Sequence, residues 1–264
     1  LEACYSVTSK KVSYTMKEYS ITFSLIFFLS YSLMAVEGDE KNVNEKFKFI
    51  KDAKDPVWKT HRAYDPGAFK LFQELSKIAD FSFDYKFSRL LIEPNRSLHH
   101  RNLFSEYSKS LTAEQKKILI DSFYLKYRNE VEHCIAACRE AGEEVVHISV
   151  HSFTPVLDAV ERQTDIGLLY DPSREGEKNF SRHLKHELIK ELDVRVRSNY
   201  PYFGTADGFT TYLRTKFTTN YIGIELEVNQ KFAKNNRFSN DFMQHIKQGL
   251  FKTMQRHYIN MPSI

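Results

Sequence analysis

Apolar positions along the chain alternate between a spacing of two and a spacing of three to four, and each switch marks a change of element. From residue 66 to 79, Ala68, Phe72, Leu75 and Ala79, flanked by Leu71 and Ile78, recur at helical spacing. Asp65 is a natural N-cap for that helix and Pro66 a natural first helical residue. Residues 88–93, SRLLIE, read as a short buried strand closed by Pro94, with a polar, histidine-bearing loop after it. A long helical stretch opens at Thr112, where Gln115 completes a capping box, and runs to Gly142 with room for a break. Residues 145–150 are mostly β-branched and apolar and stop at His151 and Ser152, the pattern of a buried strand that delivers polar groups at its carboxyl edge. A polar loop carrying Thr154 and Arg162 leads to a second strand ending at Tyr170. Phe180, Leu184 and Leu188 predict another helix, and Val194 to Val196 a short strand. The turn-forming stretch 199–208, NYPYFGTADG, follows. Residues 221–228, YIGIELEV, alternate as a late strand, and Phe242, Ile246, Leu250 and Met254 predict a closing helix. This alternation predicts an α/β fold, a mixed, largely parallel sheet with helices on both faces.

The first part of the chain breaks the pattern. Residues 21–36, ITFSLIFFLSYSLMAV, form an uncharged apolar run shorter than the ~20 residues a membrane span needs. Two readings fit it. As a signal peptide it would take Met16 and Lys17 as its start and Ala35 as the small residue at the cut, which implies export. As a first strand it would stay in the sheet. Residues 1–35 are therefore an atypical N-terminal segment, and 36–264 the expected single domain. With 264 residues, 42% of them hydrophobic, the chain buries one substantial core. The net charge of +4 comes from basic residues scattered among acids, with no stripe or tail, so a nucleic-acid partner is not expected. Cys4, Cys134 and Cys138 cannot all pair within one chain and lack the second pair that would complete a cysteine zinc site. A reducing, cytoplasmic compartment is the simpler expectation, and no membrane contact is expected of the mature domain.

Four polar clusters fall at predicted strand or helix ends. In THRAYDPGA, residues 60–68, Asp65 suits either a divalent metal or a plain helix cap, and His61 either a ligand or a loop position. In SRLLIEPNR, Arg89 and Arg96 bracket a buried run, where two guanidinium groups suit bidentate carboxylate recognition or a structural ion pair. His151 at a strand end is a good zinc ligand, or a core histidine satisfied by backbone, and Arg162 returns towards the same edge. Glu225 and Glu227 point to one face of a strand, as a general base and its neighbour or as the solvated face of an edge strand.

Taken in order, HRAYDPGA, SRLLIEPNR, SVHSFTPVLDAVERQTDIGLLY, NYPYFGTADG and YIGIELEVNQ resemble the motif series of the N-formylglutamate amidohydrolases, over roughly residues 57–260. The resemblance implies an α/β fold similar to zinc-dependent exopeptidases, and hydrolysis of N-formyl-glutamate to formate and glutamate, a step of histidine degradation. It implies Zn²⁺ as cofactor, with His151 and Asp65 as ligands and His61 and Glu37 as further candidates. Glu227, with Glu225 second, is the candidate proton-transferring carboxylate. Arg89, Arg96 and Arg162 are candidate substrate clamps, and Asn199, Ser152 and Thr154 candidate substrate or ligand partners. One departure stands out. The family opens with a Cys-Glu-His-Ala sequence, and an ungapped extension sets Glu37 against its glutamate and Gly38 where its histidine belongs. Glycine has no side-chain donor for a metal. Two other readings stay open: a metal-poor binding homologue, and an amidase for peptide or cell-wall fragments.

Overall fold

The computed structural model describes residues 23–29 and 56–259. Its centre is a six-stranded sheet in the order β2-β1-β3-β8-β6-β7. Here β1 is Phe23–Leu29, β2 Phe81–Asp84, β3 Glu144–Phe153, β6 Ile166–Leu169, β7 Val196–Ser198 and β8 Tyr221–Asn229. The first four strands of that order run parallel, while β6 meets β8 antiparallel and pairs with β7 in parallel. β4 (Val156–Leu157) and β5 (Val160–Glu161) form a separate two-stranded hairpin. Asp158 and Ala159 at its tip have φ of 50° and 63°, the left-handed pair a two-residue turn requires.

Helices cover both faces. Against one face lie α1 (Ala68–Leu75), α4 (Glu175–Glu191) and α6 (Asn240–Ile259), which pack Leu71, Phe180 and Ile246 onto Val146, Ile148, Ile224 and Leu226. Against the other lie α2 (Ala113–Leu119), α3 (Lys126–Glu140) and α5 (Phe209–Lys216), contributing Leu119, Tyr127, Val131 and Leu213. The two clusters share the sheet by period two: Val146, Ile148 and Val150 face the first, Val145 the second. Cys134 and Cys138 both lie on α3 and form no disulfide.

Several elements depart from the sequence pattern, each for a local reason. Residues 88–93 are buried but form turns instead of a strand, because Ser88 accepts from the Leu91 amide and the Glu93 amide turns to the Leu103 carbonyl. The β2 strand precedes them, at 81–84. Asp65 does not cap α1. That helix starts from Gly67 at φ 85°, and a Cβ there would stand 2.7 Å from the Phe238 ring. The helical stretch after Thr112 has its capping box, then a π-helical turn over Ile120–Leu125 joining α2 to α3. β3 runs on past Val150 to Phe153, so His151 lies within the strand. β1 sits between β2 and β3, the strand alternative for part of the apolar run. Met16, Lys17, Ala35, Glu37 and Gly38 lie outside the described residues. Among those described, no helix is long and apolar enough to cross a membrane.

Candidate active site

The site follows from the register of two neighbouring strands. On β3 the residues His147, Ser149 and His151 alternate with the apolar core set, and on β8 Gly223, Glu225 and Glu227 do the same. Parallel pairing sets Ser149 opposite Glu225 and His151 opposite Glu227, which gathers one imidazole and two carboxylates on one face near the carboxyl ends of both strands. β8 is a central strand, so the solvated-edge reading of the two glutamates fails, and both are buried.

Asp65 arrives from the loop before α1. Its Oδ2 lies 2.9 Å from His151 Nδ1, and its Oδ1 accepts from Arg89 Nη1 at 2.9 Å. Arg89 Nε donates to Glu93 at 2.6 Å. Ser149 Oγ stands 3.0 Å from His151 Nε2. The result is a chain of alternating charge, Glu93–Arg89–Asp65–His151, buried except for the half-buried Arg89, with Glu227 beside its end.

The electrostatics follow from burial set against neighbours. Burial alone would push the His151 imidazole down, but the Asp65 hydrogen bond and charge, with Glu227 and Glu225 behind it, raise it to about 9. Burial would raise Asp65, and Arg89 and His151 outweigh it and hold that carboxyl below its ordinary value. Glu227 is the reverse case. Burial, then Asp65 and Glu225, lift it to about 7 against the opposing charges of His151 and Arg89. Its Oε2 is buried with no hydrogen-bond partner among the described residues. An unpaired buried carboxylate oxygen is costly in a resting protein and is usual where a proton or a ligand is to be handled.

The other candidates fall into two groups. Arg162 donates through Nη1 to Thr154 O and Oγ1 and to the Tyr202 hydroxyl, which leaves Nε and Nη2 without hydrogen-bond partners among the described residues. That guanidinium remains able to grip an anion. Arg96, by contrast, donates to the Asp207 carbonyl at 2.8 Å and ties the 94–97 turn to the 199–208 loop. Asn199 Oδ1 accepts from the amides of Tyr170 and Gly204, so its side chain shapes that loop. Ser152 donates to the Pro66 carbonyl at 2.8 Å and accepts from Gln230. It fastens the Asp65 loop to β3. His61 is exposed in the turn before that loop.

Sequence pattern misses two buried arginines. Arg214 on α5 donates to both oxygens of Glu177 at 2.9 and 3.1 Å, to the Gly223 carbonyl at 2.9 Å and to the Gly204 carbonyl, and so joins α4, β8 and the loop. Arg128 lies over the rings of Tyr124, Phe209 and Tyr212 at 4.8, 4.1 and 4.7 Å and donates to the Pro94 carbonyl at 3.0 Å. Each arginine stands on a helix with no flanking motif, and only the fold supplies its partners.

The metal implied by the sequence resemblance meets a poor donor set. Among the described residues no group of three histidine, cysteine, aspartate or glutamate side chains is placed to hold one ion. Both oxygens of Asp65 and both nitrogens of His151 are engaged with Arg89, with Ser149 and with each other. As they stand these residues do not fit a metal.

Comparison with known proteins bears on the same residues. No curated protein matches the chain. Among solved structures, a gene product of Agrobacterium tumefaciens is 19% identical with a TM-score of 0.71, covering 89% of this chain and 92% of that one. The N-formylglutamate amidohydrolase from Ralstonia eutropha JMP134 is 13% identical with a TM-score of 0.70, covering 97% of each. These likenesses establish a shared fold. The family model of the N-formylglutamate amidohydrolases matches residues 41–233, a span that holds Asp65, Arg89, His151, Arg162 and Glu227. With well over half of its length matched, the chain belongs to the N-formylglutamate amidohydrolase family.

Proposed function

We propose that the chain hydrolyses the N-acyl amide of an acidic amino acid, with N-formyl-L-glutamate as the first candidate substrate. The observation that carries the reading is Glu227: a buried carboxylate raised to about 7, with one unpartnered oxygen, opposite His151 on adjoining strands. A carboxylate poised near neutral pH takes a proton from water as the water adds to the acyl carbon, then gives it to the departing amine. His151 is held cationic by Asp65, and its charge keeps the ionised form of Glu227 accessible inside the protein. The free edge of the Arg162 guanidinium supplies a bidentate surface for a substrate carboxylate.

The chemistry asks nothing of Arg96 or Asn199 beyond holding the loop. A second reading, a binding protein that has lost catalysis, draws on the closed Asp65–His151–Arg89 network and on Gly38. Hydrolysis of N-formyl-L-glutamate, N-acetyl-glutamate and an N-acyl dipeptide, each followed by the free amine released and the first also by formate, decides among the readings. Turnover with the formyl substrate that disappears in Glu227→Gln supports the proposal, and preference for the dipeptide supports a peptide amidase. Tight binding of N-formyl-glutamate without turnover supports the binding reading. Metal analysis of the same sample, with activity before and after chelation, tests the zinc that the family resemblance implies.

A further inference from the structure

We propose that Tyr202 contacts the substrate, its phenolic O–H donating a hydrogen bond to the scissile amide oxygen as that oxygen becomes an oxyanion. The inference rests on the amidohydrolase reading above.

Tyr202 stands on the 199–208 loop with two surroundings. The residue is 42% exposed and its neighbour Phe203 is 73% exposed, so this part of the loop is open to solvent. The Tyr202 hydroxyl accepts from Arg162 Nη1 at 3.1 Å, while the Arg162 guanidinium lies 5.0 Å from the ring centroid. A phenol that accepts from an arginine keeps its own proton to donate, and no described group takes it. Burial and the charge of Glu227 raise the phenol above its ordinary value, against Arg162 and Arg89, so it stays a protonated donor through the neutral range. Geometry sets the loop that carries this phenol beside Glu227: a Cβ built at Gly167 would stand 2.1 Å from the Tyr200 carbonyl oxygen and 3.3 Å from Glu227 Cβ.

The loop holds that hydroxyl in place. Asn199 Oδ1 accepts from the amides of Gly204 within the loop and of Tyr170 just after β6, and Arg214 donates to the Gly204 carbonyl. A Cβ at Gly167 on β6 would overlap the Tyr200 carbonyl oxygen, so the loop rests directly on the strand next to Glu227. A donor fixed in this way costs no reorganisation when charge develops, which is what makes an oxyanion donor effective. Arg162 is a full positive charge and suits a carboxylate present in the bound substrate. A neutral donor on the Glu227 side suits an oxygen that becomes charged only in the transition state.

The step balances. Water oxygen bonds to the acyl carbon, one water proton passes to Glu227, and the carbonyl π pair moves onto the oxygen that Tyr202 donates to. On collapse the pair returns, the carbon–nitrogen bond breaks, and Glu227 delivers its proton to the nitrogen. The Tyr202 proton never leaves the phenol.

Tyr202→Phe keeps the ring against Arg162 and removes only the O–H. With N-formyl-L-glutamate as substrate, kcat is expected to fall about 100-fold, the order seen when one oxyanion donor is removed. KM should stay within about threefold, because the ground state does not use the bond. Thermal melting should match that of the unaltered protein. Unchanged kcat overturns the proposal, as does a raised KM at constant kcat, which would put the phenol in service of Arg162 and the substrate carboxylate. An unaltered protein that turns over none of the N-acyl substrates sinks the amidohydrolase reading itself, and this inference with it. Turnover by the unaltered protein, with no kcat effect in Tyr202→Phe, sinks this inference alone.

Discussion

Replacing Glu227 by glutamine should make the protein more stable while removing its activity, and the gain should depend on pH. The folded protein holds the Glu227 carboxyl at about 7 against an ordinary 4.5. At ~1.36 kcal/mol for each tenfold change in proton affinity, that difference corresponds to about 3 kcal/mol. The sign follows from which state binds the proton more tightly. Below pH 4.5 the carboxyl is protonated in both states and contributes nothing to the balance. Between 4.5 and 7 the folded form keeps a proton that the unfolded chain has released, so stability falls as pH rises. Above 7 the buried anion carries its whole cost. Glutamine has no such charge, so denaturant unfolding of Glu227→Gln and the unaltered protein should diverge by most of those ~3 kcal/mol between pH 5 and pH 8. His151 sets this as an upper figure, since Glu227 helps to hold its charge. A stability difference that stays flat across that range would refute the account of Glu227 as an uncompensated buried carboxylate. Loss of turnover in the same variant, with its fold intact, would link the cost to function.

Three further outcomes are expected. Asp65→Asn removes the first partner of His151, so the imidazole should ionise well below about 9, and the stability it lends, full below its ordinary 6.5 and lost as pH rises through 9, should disappear; a ring titration by NMR that stays near 9 would contradict this. Glu177→Gln leaves the Arg214 guanidinium buried without its anion, which should cost about 3–5 kcal/mol in urea unfolding, and a loss under ~1 kcal/mol would show that the pair is not the joint between α4, α5 and the loop. Gly167→Ala drives a methyl into the Tyr200 carbonyl, so about 1–3 kcal/mol of stability should be lost together with turnover, whereas unchanged kcat/KM would mean that the loop does not position the site.

Much of the frame was legible in the chain. The buried strands 145–150 and 221–228 announce themselves because two apolar faces or strict alternation leave few alternatives, and Thr112 with Gln115 marks a helix start through a bond made within four residues. Residues 88–93 misled because an apolar run shows burial, and burial does not distinguish a strand from a turn whose amides find local carbonyl partners. Asp65 misled for a related reason. A carboxylate directly ahead of a proline that suits the first helical position reads as a cap, yet its oxygens are claimed by Arg89 and His151, which lie 24 and 86 residues away along the chain.

The site divides along the same line. Sequence alone determined which residues can do chemistry: the strand end that presents His151, the period of two that places Glu225 with Glu227, and the ordered motifs that mark the family. Only tertiary structure decided what each of them does. Pairing β3 beside β8 set His151 opposite Glu227, and burial on both faces of the sheet lifted one carboxyl to about 7 while Asp65 held the neighbouring imidazole charged. Folding also divided three arginines that look alike in sequence: Arg89 locked between Asp65 and Glu93, Arg96 bound to a carbonyl, Arg162 left with open donors beside Tyr202. Side-chain spacing is a local property, carried by the backbone period, whereas the charge and availability of a buried group depend on which distant residues the fold sets against it.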